Sequence, residues 1–76
     1  MNATQRKELA ELATQIDTIK EQLESIRDAE QEKYDNLPEG LQESERGEKF
    51  QEGIDTLDEI ISNLKDAADS FGTFTE

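Results

Sequence analysis

Leu37-Pro38-Glu39-Gly40-Leu41 is the one breaker cluster in a chain of 76 residues, and its reading decides the fold. Proline bars the helical conformation from the residue before it, and Pro-x-Gly suits a type I turn. Upstream, Leu9, Leu12, Ile16, Ile19, Leu23 and Ile26 recur at alternating steps of three and four. That is a heptad with apolar a and d positions. The pattern weakens at Glu30 and Lys33, and Tyr34 and Leu37 close it. Asn2 and Gln5 have the spacing of a capping box, which predicts a helix over 3–36. Downstream of the turn at 37–43, Ser44 is a good N-cap, and Glu45 and Glu48 favour the positive end of a helix. Phe50, Ile54, Leu57, Ile61, Leu64, Ala68 and Phe71 again step by four and three, and Gly72 is placed as a C-terminal cap. This predicts a second helix over 44–71. A frayed tail follows at 72–76, in which Thr73-Phe74-Thr75 packs against the end of the fold or serves as a docking peptide.

The two heptads fit each other in antiparallel sense. With the turn centred on Gly40, facing residues have numbers that sum to about 80, so that every pair joins an a to a d position. Leu9 then meets Phe71, Leu12 meets Ala68, Ile16 meets Leu64, Ile19 meets Ile61, Leu23 meets Leu57 and Ile26 meets Ile54. The expected fold is all-α, an antiparallel two-helix coiled-coil hairpin in a single domain.

One seam does not use all the apolar residues. Gly53, Ile60 and Ala67 form a further stripe on the second helix, and Ala13 and Ala29 lie beside the seam of the first. So wide a stripe suits helices with two neighbours, and chains this small need extra stabilisation. A homodimer forming a four-helix bundle, with Ala29, Gly53, Ile60 and Ala67 in self-association, is the simplest closure; a monomer that leaves Ile60 exposed is the alternative. Gly47 and Gly53 each cost a helix about 1 kcal/mol relative to alanine. They mark the close approach of a neighbouring backbone, or else Gly47 belongs to a loosely wound first turn and Gly53 is merely tolerated.

Composition narrows the function. The chain has 8 basic and 20 acidic side chains and a net charge of −12. Direct nucleic-acid binding is disfavoured, because it needs cations that displace counterions. An anionic membrane surface is disfavoured on the same ground, and no stretch is long and apolar enough to span a bilayer. Cysteine and histidine are absent, which removes the thiolate nucleophile, the commonest general base and the usual zinc ligands. Asp55, Asp58 and Glu59 lack the pattern of a calcium loop. The expectation is a non-enzymatic protein with no cofactor and no metal. The first residues lack a signal-peptide core, which points to a soluble cytoplasmic protein.

The strongest surface feature is a row of carboxylates. Glu48, Glu52, Asp55, Glu59, Asp66 and Asp69 take outward positions of the second helix, interrupted by Ser62. Residues 39–76 carry 3 basic and 11 acidic groups, against 5 and 9 in residues 1–38. Like charges three and four apart destabilise a helix by a few tenths of a kcal/mol per pair, and interleaved lysines do not relieve them here. The row is either a solvated face that keeps the protein soluble or a partner-binding ridge for a basic protein surface, imitating a line of phosphates. Lys20 and Arg27 fall on the flank where Asp58 is expected and serve register and solubility. Tyr34, Leu37, Leu41 and Phe50 are expected to cap the turn, whose tip is a second candidate epitope.

The segment from Tyr34 to Gly47, reading Tyr-Asp-Asn-Leu-Pro-Glu-Gly-Leu-Gln-Glu-Ser-Glu-Arg-Gly, resembles a string found in short acidic phage and prophage proteins, where an acidic helix like Phe50 to Asp69 follows it. The likeness covers residues 30–70 and carries no biochemical activity with it. It implies an origin in a phage or mobile element and a place in the cytoplasm of an infected bacterium, which favours an inhibitor of a host defence or nucleic-acid-handling protein. A structural or assembly protein, and a sponge for a small ligand at a subunit interface, are the other readings.

Overall fold

In the computed structural model, described for residues 1–74, the chain is all-helical. Helix α1 runs Ala3–Asp35, a single helical turn α2 spans Glu39–Gln42, and α3 runs Glu45–Ser70. A 3₁₀ turn, Phe71–Phe74, follows. The Cα atoms extend over 58 × 14 × 14 Å. At about 1.5 Å per residue α1 alone is roughly 50 Å long, so the whole chain is little longer than its first helix. It reverses at residues 36–44, and α1 and α3 lie side by side as a long helix pair.

The start of α1 is set by a reciprocal cap: the Asn2 carboxamide accepts from the Gln5 backbone at 2.8 Å, and the Gln5 side chain accepts from the Asn2 backbone at 3.2 Å. The helix ends where its carbonyls find partners other than the next turn. Asn36 is the C-cap, Leu37 N–H donates to the Tyr34 carbonyl at 3.1 Å, and the Gln42 amide donates to the carbonyls of Tyr34 and Asp35 at 3.1 and 3.4 Å.

Where a type I turn was expected, the corner holds a short helix. Pro38 is extended (φ −54°, ψ 144°) and serves as the N-cap of α2; its carbonyl accepts from Leu41 and Gln42 at 2.8 and 3.1 Å. Proline is at home there because an N-cap needs no backbone donor. Ser44 is the N-cap of α3 by backbone geometry, yet its side chain makes no cap bond; its hydroxyl donates backwards to the Leu41 carbonyl. Gly47, one of two fully buried residues in α3, sits against α2. A Cβ built there would overlap the Gln42 carbonyl oxygen and come within 2.8 Å of its Cα. The close approach anticipated at Gly47 is therefore real and lies within the chain. Gly53, by contrast, has open space around it.

Two expectations at the far end need correction. Gly72 does not cap α3 in the left-handed conformation, since no glycine among the described residues has positive φ. Phe71 is the C-cap, and the chain continues as a 3₁₀ turn. Thr73 and Phe74 are part of that turn, with the Phe74 ring edge-on to Phe71 at 6.5 Å; Thr75 and Glu76 lie outside the described residues.

The seam differs from expectation on one side only. On α3, Phe50, Leu57, Ile61, Leu64, Ala68 and Phe71 are half-buried, and Ile54, 2 % exposed, is the fully buried side chain of the core. On α1, Leu9, Ile16 and Leu23 are half-buried as expected, whereas Leu12, Ile19 and Ile26 are 47, 47 and 54 % exposed. Their expected places are taken by Ala13, Lys20 and Arg27, all half-buried. The helix is thus turned so that one row of its apolar stripe meets α3 and the other looks outward. Lys20 and Arg27 can occupy a seam because their methylene stems cover apolar surface while the charged ends reach water.

In that rotation Arg27 reaches across to α3. Its Nε donates to Asp58 Oδ1 at 2.8 Å and its terminal nitrogen to Oδ2 at 3.5 Å, a two-pronged contact that a planar guanidinium is suited to make. The hydrogen bond to Asp58, and then its charge, raise the guanidinium pKa above its ordinary value. Reversing either partner alone, Arg27→Asp or Asp58→Arg, is expected to lower the melting temperature, and reversing both to recover most of the loss. A double variant no better than the worse single one would show that the pair does not set the register.

Candidate functional site

The carboxylate row stands clear of the fold. Glu48, Glu52, Asp55, Glu59, Asp66 and Asp69 are all exposed. Their spacing keeps them on the side of α3 turned away from α1, because the seam residues Phe50, Ile54, Leu57 and Ile61 occupy the opposite side of the same turns. From Glu48 to Asp69 the row extends for about 32 Å, roughly one carboxylate per 5.4 Å turn. Among the described residues the ion pairs join Arg27 to Asp28 and Asp58, and Lys33 to Glu30, so every member of the row faces water. Nor do three carboxylates converge anywhere among the described residues in a way that could hold a metal ion. An open line of negative charge on a rigid helix can attract and align a cationic surface; it does not form a pocket in which a substrate would be desolvated.

A second surface lies beside the first. Leu12, Ile19 and Ile26 are spaced by seven along α1, and Gly53, Ile60 and Ala67 by seven along α3; all six are exposed. Counting out from the seam, each row is the next one round its helix. Because the helices run in opposite directions, both rows fall on the same flank of the pair, Leu12 level with Ala67, Ile19 with Ile60, and Ile26 with Gly53. Arg27 and Asp58 occupy the other flank. Of the residues assigned to self-association, Gly53, Ile60 and Ala67 belong to this apolar face. Ala29 is exposed but lies further round α1, beyond the row of Ile26, and Ala13 is half-buried on the seam.

Near the corner this face ends in an open groove of about 310 Å³ lined by Glu30, Arg46, Lys49, Phe50 and Gly53. The expected apolar cap over the turn is partial: Tyr34, Leu37 and Phe50 are half-buried, but Leu41 is 40 % exposed.

Sequence reasoning placed the carboxylate row by its spacing, and it missed two things. Gln42 ties the corner to the end of α1 although nothing in a polar residue between two breakers distinguishes it. The exposure of Leu12, Ile19 and Ile26 was hidden because a heptad reports that a stripe is apolar and not which edge of it a single neighbour will cover. Much of the 34–47 string is engaged in the corner itself, with Asn36, Pro38, Gln42, Ser44 and Gly47 each holding a backbone position there. Comparison with family models, curated proteins and solved structures finds no match to this chain.

Proposed function

We propose that the chain is a non-catalytic interaction protein that works as an antiparallel coiled-coil hairpin, pairs with a second copy into a four-helix bundle, and blocks a basic surface of a host protein with the acidic ridge of α3. The observation that carries this reading is the exposure of all six ridge carboxylates with no ion pair made to them among the described residues. Phosphates rise about 3.4 Å each along one strand of a duplex, and a carboxylate per helical turn supplies a sparser line of the same sign. A protein whose own ligand is a nucleic acid offers the complementary groove. Encounter between such surfaces is steered by their fields, which suits a small inhibitor that must find its target quickly. The likeness of residues 34–47 to phage proteins supports a target in the cytoplasm of an infected bacterium.

The test is capture from a bacterial lysate on the tagged protein. Partners held at about 50 mM salt should be lost by about 500 mM, where the screening length is a few Å. They should also be released by added duplex DNA, and should not bind the triple variant Glu52→Lys, Asp55→Lys, Glu59→Lys, whose helical circular dichroism is expected to match the parent. Capture that withstands salt and the triple variant would instead support the assembly-protein reading, which the exposed apolar residues of α1 favour.

A further inference from the structure

We infer that the flank formed by Leu12, Ile19 and Ile26 of α1 with Gly53, Ile60 and Ala67 of α3 is the surface on which the second copy of this chain docks; the inference rests on the pairing proposed above and assigns its location.

Three observations select this face and this occupant. The first is charge. Any partner that is another copy brings a net charge of −12 towards an equal one, so contact requires a face free of carboxylates. Alongside the middle of the two apolar rows lie Gln15 and Gln22 on α1 and Thr56 and Asn63 on α3, all exposed and all neutral, and charged residues, Glu8, Glu30 and Lys49, stand only at the ends. The Thr56 hydroxyl is already satisfied by the Glu52 carbonyl at 2.8 Å. Between Glu8 and Glu30 on α1, and from Gly53 to Phe74 on α3, this flank carries no charged side chain, in a chain of which 37 % is charged. A host protein with a basic surface would gain nothing from such a face; a like-charged copy can approach nowhere else at so little cost.

The second observation is extent. The two apolar rows, Leu12 to Ile26 and Gly53 to Ala67, each run for about 21 Å at about 1.5 Å per residue along the middle of a pair 58 Å long, so a copy laid lengthwise on them meets the pair at its centre. The third is shape. Gly53 has no atom within 4 Å of where its Cβ would stand, and with Ala67 it leaves the α3 side of the face low at both ends. The α1 side stands proud with Leu12, Ile19 and Ile26. Alternation of large and small residues across facing layers is what allows four helices to interdigitate. The ridge lies about a third of a turn further round α3, so docking here leaves it uncovered.

Sedimentation equilibrium of the full chain tests the pairing, and substitution tests the face. The parent should sediment at twice its 8.6 kDa mass. Its dimer should tighten as salt is raised, since screening removes the repulsion between copies, the reverse of the salt response expected for the ridge. Ile19→Asp and Ile60→Asp should each weaken the dimer on the order of a hundredfold or more, because each buries an unpaired carboxylate twice per dimer. Because the chain has no cysteine, oxidation gives a second readout that does not depend on disruptive variants. Ile19→Cys should cross-link with itself or with Ile60→Cys, whereas Glu24→Cys should not. A parent that stays at 8.6 kDa up to about 1 mM would sink the pairing and the face together. A parent dimer that survives both aspartates, or that forms no disulfide at 19 or 60, would leave the pairing standing and overturn the face.

Discussion

Gly47→Ala is expected to lower the stability of the folded chain by about 2–3 kcal/mol, although alanine is the better helix former by about 1 kcal/mol. The Cβ it adds would overlap the carbonyl oxygen of Gln42 and crowd its Cα, and both belong to backbone, which cannot swing aside as a side chain can. Relief requires α2 to lift from the first turn of α3. That in turn pulls the Gln42 amide from the Tyr34 and Asp35 carbonyls that it caps. Gly53→Ala provides the contrast within the same helix. Nothing lies within 4 Å of its added Cβ, so on the isolated pair it should stabilise by about 0.5–1 kcal/mol. Urea unfolding followed by circular dichroism reads both. Equal gains at the two positions would mean that the corner yields at no cost and that Gly47 is merely tolerated.

Ile54→Ala should cost about 2–5 kcal/mol, the range for removing a fully buried large aliphatic side chain. Ile54 is 2 % exposed, and no other large side chain among the described residues is as enclosed. Ile60, only two turns away and 40 % exposed, should cost the unpaired chain less than about 1 kcal/mol on the same truncation. A domain of this length has only a few kcal/mol to lose, so Ile54→Ala is expected to be largely unfolded at 37 °C while Ile60→Ala remains helical. If the two substitutions have equal effects, the core is not centred on Ile54.

How much of this was legible in the sequence depended on how many physical causes bore on each residue. The α3 seam was legible because spacing, caps and one neighbour all agree: Phe50, Ile54, Leu57, Ile61, Leu64, Ala68 and Phe71 fall on the covered side. The start of α1 was legible because Asn2 and Gln5 satisfy each other locally. Rotation of α1 was not, because two apolar rows compete for one partner, and the contact that accompanies the observed choice, Arg27 to Asp58, joins residues 31 apart. The corner was half legible. Pro38 and Gly40 announce a break in any reading, but whether five residues make a type I turn or a turn of helix depends on Gln42 finding the end of α1 and on Gly47 admitting its backbone. The carboxylate row was visible from spacing alone, since a helix that buries one side must show the other.

The scarcity of fully enclosed side chains has a calorimetric consequence. The heat-capacity increment of unfolding scales with the apolar surface newly exposed to water, and here little of that surface is dry to begin with. An unaccompanied chain should therefore melt over a wide temperature interval with a small enthalpy and a shallow dependence on denaturant. Whatever molecule comes to cover the second row of α1 would raise all three quantities at once, so the sharpness of the melting curve, followed against protein concentration, reports how much of that row is sheltered.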